Sequence, residues 1–443
     1  GGNDNSSAST AIDENPYPST YRAYPGAPTA LVGATVFDGA GGRIDGGTVL
    51  FADGKVVGVG GADLAIPAGY TRIDGTGKFV TPGIIDVHSH LGVYASPGVN
   101  AHSDGNEATA PVTAQVWAEH SVWPQDPGFE AARAGGVTAL QILPGSANLV
   151  GGRGVTLKNV PATTYQGMKF PGAPWGLKMA CGENPKRVYG GKGGPSTRMG
   201  NIAGFRAAFA DAAEYRNKRM KQQDSDKDSG GKRDLKLDSL AGAINGDILV
   251  HNHCYRADEM AIMLDLAKEF GFRIAAFHHG VEAYKLADRL AEEGTCAALW
   301  ADWWGFKMEA FDGIQENIAI VDRAPGGCAI VHSDSDEGIQ RLNQEAAKVM
   351  ANARKIGIEV TPEHAMRWLT LNAARSMGID KVTGSLAAGK NADVVVWNGN
   401  PFSSYALAEQ VYVDGARVYD RNDRSRQATS DFMLGQPGAG GVR

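Results

Sequence analysis

Val80-Thr81-Pro82-Gly83-Ile84-Ile85-Asp86-Val87-His88-Ser89-His90-Leu91 is the stretch on which the reading of this 443-residue chain turns. Past the Pro-Gly turn, a short apolar run bounded by turn residues reads as a buried strand. Alternate side chains of a strand share one face. His88 and His90 therefore project together and can reach one metal ion.

On the amino-terminal side, ALVGATVFDGAGG, GTVLFADGKVVGVG and TRIDGTGKFV alternate apolar and polar residues between Asp-Gly and Gly-Gly turns, the pattern of small hairpins. The same grammar returns near the carboxyl end in GSLAAGKNADVVVWNGNP and AEQVYVDGARVYD. Residues 28–82 and 383–425 are accordingly expected to pair into one small β-sandwich, because chain ends often lie close together. Between them, residues 83–382 alternate short apolar strands with helical stretches, which argues for βαβ units and a parallel sheet. Strands are expected in GIIDVHSHL, GVTALQILP, WGLKMACGE, DILVHNHC, FRIAAFHH, TCAALWAD and CAIVHSDS, and most end in residues able to carry chemistry. That placement suits a barrel whose site lies at the carboxyl ends of its strands. The charged, Ser/Gly-containing stretch 214–239 reads as a solvated, partly disordered insertion.

The segment PGIIDVHSHL resembles the first-strand signature of the amidohydrolase superfamily, in particular the branch of imidazolonepropionase-like proteins and metal-dependent dipeptidases. The resemblance runs from about residue 30 to 420. It implies a (β/α)₈ TIM-like barrel with a β-sandwich built from both chain ends, and further ligands on later strands. In HNHCYRADEM, His251 and His253 share a face; His253, nearer the strand end, is the expected ligand, with His251 one layer deeper. In AAFHHG the neighbours His278 and His279 should point to opposite faces. The resembled branch carries its ligand at the position of His279, which leaves His278 facing the helix layer. Asp334 in IVHSDSDEG matches the aspartate that closes the last strand, where it binds metal and shuttles a proton. His332 shares its face and either lines the pocket or packs in the core. Asp336 and Glu337 read as charges at a helix start. For the bridging group two candidates stay open. Lys178 matches a lysine whose carbamate joins two metals in the binuclear branch; Glu183 resembles the bridging glutamate of related DNases. Lys178 is the first choice.

Tyr255 and Arg256 follow His253 and could bind substrate, orienting a carbonyl or clamping a carboxylate, or could equally cap the next helix. The aromatic residues of LWADWWGF suggest an apolar wall. The Gly-rich stretch Gly145 to Gly154 lacks the ending of a phosphate loop and reads as an active-site loop, with Arg153 as a substrate contact.

A formal net charge of −6 offers no basic field for a polyanion, so a small-molecule substrate is expected and nucleic acid is not. No apolar run approaches the roughly 20 residues of a membrane span. The four cysteines are far apart in sequence and read as free thiols. Residues 1–27 read as a flexible tether, its polar start similar to the segment after the lipidated cysteine of a bacterial lipoprotein; a periplasmic or otherwise exported location is expected, with the cytoplasm as the alternative. Barrels of this size often associate, so a homo-oligomer is expected. The expected reaction is hydrolysis of an amide C–N bond in a dipeptide, N-acyl amino acid or cyclic amide. It would use one or two divalent ions, zinc first. A mononuclear deaminase or a phosphoesterase of the same superfamily is the alternative.

Overall fold

The structure, a computed structural model, describes residues 15–224 and 232–426. The first five strands are β1 (Thr29–Phe37), β2 (Arg43–Ala52), β3 (Lys55–Gly60), β4 (Thr71–Asp74) and β5 (Phe79–Pro82). The last three are β14 (Val394–Trp397), β15 (Ala408–Val413) and β16 (Ala416–Asp420). They form one connected sheet in the order β16-β15-β14-β5-β1-β2-β3, with β4 also on β1, in place of the expected two-sheet sandwich. The reason is β5, which pairs parallel with β1 on one edge and antiparallel with β14 on the other, fusing the two chain ends into one sheet.

The second sheet is the barrel: β6 (Ile84–Ser89), β7 (Val137–Ile142), β8 (Val150–Lys158), β9 (Trp175–Ala180), β10 (Ile248–Cys254), β11 (Ile274–His279), β12 (Cys296–Leu299) and β13 (Ala329–Val331), hydrogen-bonded in sequence order. Each strand expected in this region is present. The Gly-rich stretch is the exception: residues 150–158 form β8, antiparallel to both β7 and β9, so the barrel is not uniformly parallel. Its glycines serve close approach within a strand. A Cβ on Gly152, whose φ is +127°, would stand 2.4 Å from the Val116 carbonyl oxygen.

Helices α1 (Pro127–Ala134), α2 (Glu183–Tyr189), α3 (Arg198–Asp224), α4 (Leu235–Asn245), α5 (Ala257–Phe270), α6 (Ala287–Glu293), α7 (Asn317–Arg323), α8 (Leu342–Lys355), α9 (Pro362–Leu369) and α10 (Leu371–Ser376) accompany the strands. Their ends follow local chemistry. Asp126 caps α1 by accepting from Gly128 N ahead of Pro127, and Gly271 ends α5 at φ +76°. Much of the expected insertion is helix: residues 235–239 open α4, and residues 214–224 are the end of α3, where charges of mixed sign can pair one turn apart, as Lys218 does with Glu214 at 2.6 Å. Residues 225–231 lie outside the described residues, as do residues 1–14 of the expected tether. Residues 15–27 are not loose: Lys169 Nζ donates to the Tyr17 carbonyl at 2.8 Å, Tyr24 Oη donates to the Pro161 carbonyl at 2.5 Å, and Tyr21 bonds Asp414.

The cysteines are also a correction. Cys181 is bonded to Cys254 and Cys296 to Cys328, each pair spanning neighbouring parallel strands. Spacings of 73 and 32 residues hide partners that the barrel places side by side.

Trp397 joins the two sheets. It is 1% exposed, donates from Nε1 to Thr81 Oγ1 at 2.9 Å, and packs over Gly136 at the entry to β7. Trp397→Ala should cost about 3–5 kcal/mol, read as a melting temperature several degrees lower by circular dichroism. An unchanged melting temperature would refute Trp397 as the joint.

Candidate metal centre

The imidazoles of His88 in β6 and His90 just past it meet the aspartate after β13 at the carboxyl end of the barrel. His88 Nε2 and His90 Nε2 lie 3.1 Å apart, and they stand 3.2 and 3.0 Å from Asp334 Oδ1. His279 Nε2 approaches Asp334 Oδ2 to 3.6 Å. Among the described residues, His88, His279 and Asp334 bring ligand atoms within 4.8 Å of one another, a spacing able to hold a metal ion. Burial pushes His88 and His279 well below the ordinary imidazole value, so both are neutral near pH 7.

The opposite ring nitrogens show how the lone pairs are aimed. His90 Nδ1 donates to the Leu143 carbonyl at 2.8 Å, which leaves Nε2 as an acceptor facing the centre. His332 Nδ1 donates to the Leu299 carbonyl at 2.8 Å, so its Nε2 accepts from His279 Nδ1 at 2.8 Å and His279 Nε2 is free to face Asp334. His88 Nδ1 contacts His278 Nδ1 at 2.8 Å, and His278 Nε2 contacts His251 Nδ1 at 2.8 Å. When His88 donates along this chain, its Nε2 too is left as a lone pair. Unprotonated nitrogens and a carboxylate at these distances repel unless a cation lies among them. The residues present therefore fit a divalent ion.

His278 does not face the helix layer, as strand alternation predicts. His279 has φ +72°, which turns the chain so that both neighbours reach the barrel interior. His253 lies inside, its ring 4.9 Å from that of His279, and neither of its ring nitrogens has a hydrogen-bond partner among the described residues. Lys178 is fully buried; its Nζ donates to the Pro144 carbonyl at 2.9 Å and Ser146 Oγ at 3.0 Å, and burial lowers it to about 8. Glu183, at the start of α2, is 3.7 Å from Lys307 Nζ and is not among the clustered ligand atoms.

Of the expected substrate contacts, Tyr255 is at the site, with ring centroids 5.0 Å from His253 and 5.6 Å from His279. Arg256 occupies the N-cap position of α5 and pairs with Asp258 at 2.6 Å. Arg153 is a correction: it points out of the barrel, 1% exposed, bonded to Ser239 Oγ at 2.7 Å and held between Trp117 and Trp175 at 4.4 and 4.7 Å. Of the aromatic residues expected as a wall, Trp300 does more, stacking on His279 at 4.6 Å and His332 at 4.8 Å. Two features carry no motif of their own. Asp86, pushed up to about 7 by burial, accepts from Ser333 N at 3.1 Å beneath His88. Lys307 Nζ stands 4.1 Å over the Tyr255 ring and 3.4 Å from Glu309.

A profile of the amidohydrolase family matches residues 328–419, which include Asp334. The crystal structure of an amidohydrolase from Thermotoga maritima MSB8 superposes with a TM-score of 0.81 and 36% identity, over 89% of this chain and 100% of that one. The chain belongs to the amidohydrolase superfamily. Amidohydrolase tasK of Hapsidospora irregularis is 31% identical over 388 residues, and imidazolonepropionase of Shewanella sp. (strain ANA-3) is 34% identical over 109. The first match covers 80% of this chain and the second 25%, but they span only 38% and 25% of those two relatives. A prolidase complexed with N-methylphosphonate-L-proline has the same fold at 19% identity, with a TM-score of 0.53 over 89% of this chain and 100% of that one.

Members of this superfamily generally depend on metal, in keeping with the lone pairs gathered at Asp334. A chelator-stripped sample should melt at a lower temperature than one given a divalent ion. At 100 times the dissociation constant the ion contributes about 2.7 kcal/mol. Equal melting temperatures across a metal titration would argue against the centre.

Proposed function

We propose that this chain hydrolyses the C–N bond of a small amide, a dipeptide, N-acyl amino acid or cyclic amide, at a centre of one or two zinc ions. The convergence of His88, His90 and His279 on Asp334 carries the proposal. Nitrogen and carboxylate donors suit zinc, and the superfamily membership and the amidohydrolases among its relatives agree with a C–N bond. Bound there, a divalent ion supplies Lewis acidity, activating a water and polarising the carbonyl.

The residues do the rest. Asp334, ionised, accepts a proton from the attacking water at a carboxylate oxygen and delivers it to the leaving nitrogen as the tetrahedral carbon collapses. Burial drives the Tyr255 phenol far above its ordinary value, so it stays protonated and can donate to the carbonyl oxygen as charge builds there. Trp300 and Phe306, 6.1 Å apart, stand beside Tyr255 as apolar groups on one side of the site. The two disulfides suit an oxidising compartment and support an exported location.

Between the two bridging candidates, burial and position favour Lys178. Its charge couples to Asp334, His88 and His253, whereas Glu183 lies beside Lys307. Carboxylation needs the neutral amine. With its value lowered to about 8, Lys178 is neutral in about half the molecules at pH 8, whereas an ordinary lysine reaches that point near pH 10.4. Uptake of ¹³C-labelled CO₂ by the wild-type protein should therefore rise with pH up to about 8 and then level off, while Lys178→Met shows no carbamate signal. A wild-type protein without that signal at any pH, metal present, removes Lys178 from the role.

Asp334→Asn should retain bound metal yet lose about 10²- to 10⁴-fold in kcat across a panel of dipeptides and N-acyl amino acids. Full turnover by this variant would refute the proton shuttle.

A further inference from the structure

His253 differs from the other imidazoles of the centre. His88, His90 and His279 each have the far ring nitrogen held by a hydrogen bond at 2.8 Å, but both nitrogens of His253 lack a partner. Ligating histidines ordinarily have their orientation fixed by such a contact. Here the ring rests on packing against Tyr255 and His279 and on where its backbone lies. That backbone is the end of β10, where ladder pairing runs out and strands fray. One residue on, Cys254 is bonded to Cys181, which follows the end of β9 three residues after Lys178. Cys181 N also donates to the His253 carbonyl at 2.9 Å. Strand alternation puts His253 and Lys178 inside the barrel and both sulfurs outside, in the helix-facing core with Met179 and Met260. On its other side Cys254 is in register with His279. The bond thus clamps, from behind, the strand ends bearing His253 and Lys178.

We propose that the Cys181–Cys254 disulfide is a positioning element of the metal centre, standing in for the hydrogen bond that His253 lacks. The proposal rests on the assignment of the metal centre itself. The second disulfide provides an internal control. Cys296 opens β12 and Cys328 immediately precedes β13, so that bond lies at the opposite, amino-terminal end of the barrel. Both bonds constrain the chain and both contribute to stability; only the first adjoins His253, the ligand expected on β10.

The test is Co²⁺ binding by metal-stripped protein, followed by competition with a chromogenic chelator and by the visible absorption of the bound ion, neither of which requires a substrate. Cys181→Ala/Cys254→Ala should raise the Co²⁺ dissociation constant about 10- to 100-fold, the usual range for loss of an outer support, and shift the absorption bands. Cys296→Ala/Cys328→Ala should lower the melting temperature while leaving affinity and spectrum unchanged. Cys181→Val/Cys254→Ala, which refills the volume of the sulfurs, guards against a fold defect and should behave as the first pair does. Wild-type affinity and spectrum in both variants of the first pair would overturn the positioning role while sparing the metal centre. No Co²⁺ uptake by the wild-type protein would overturn the metal centre and this role with it.

Discussion

The seam between the last barrel strand and the first is the contact on which both fold and site depend. The sheet order runs from β6 to β13 without a ladder joining its two ends. What closes it is Asp334 N donating to the His88 carbonyl at 3.1 Å, and Ser333 donating from its backbone and its hydroxyl to Asp86. Each of these residues lies within two positions of a proposed ligand. Closing the barrel and bringing Asp334 to His88 and His90 are therefore one event, and the carboxylate is in place only when the sheet has come full circle. Asp86 shows what this asks of the core. A carboxyl with no exposed surface is tolerated because the two strand ends it joins supply its donors.

The backbone is bent to the same purpose. Among the described residues four non-glycine positions have positive φ: Asp53 and Asp414 lie in Asp-Gly turns of the end sheet, and the other two are His279 and Asp334. In the left-handed region a histidine or aspartate is strained unless its surroundings over-determine it. At His279 they do, with His332 on one ring nitrogen and Trp300 against the ring face. That turn also brings His279 to the interior beside His278, whose register with His253 and Ala298 already places it there, backing His88.

Much of this was legible because ligands obey simple rules. Two histidines one residue apart in PGIIDVHSHL fix a face, and the strand-end positions of His253, His279 and Asp334 fix a barrel end. What escaped was of two kinds. Some depended on partners remote in sequence, as with the cysteine pairs and Asp86–Ser333, which only the barrel order makes neighbours. Others were signals with two physical causes. The glycines at 151, 152 and 154 could mean a loop or a strand under close approach, and only the neighbouring Val116 and Leu143 decide for the strand. The mixed charges of 214–224 could mean a solvated coil or a solvated helix, and α3 takes the second course. Arg153 misled for a related reason. An arginine in a Gly-rich stretch after a strand reads as a substrate contact on a loop, but two indoles and Ser239 make a buried berth for it on the outer face of β8.

The imidazole network turns on direction more than distance. A backbone carbonyl cannot donate, so Leu143 and Leu299 each force a proton onto the ring nitrogen that faces them. From Leu299 the constraint passes through His332 to His279; from Leu143 it acts on His90 directly. In both cases the consequence is an unprotonated nitrogen at the centre before any ion arrives. On the Leu299 route burial adds to this by disfavouring the charged forms of His332, lowered to about 4, and of His279. Carbonyls at the rim and low polarity in the core thus act together. They keep the lone pairs of His90 and His279 turned inward on Asp334, an arrangement that suits a divalent cation.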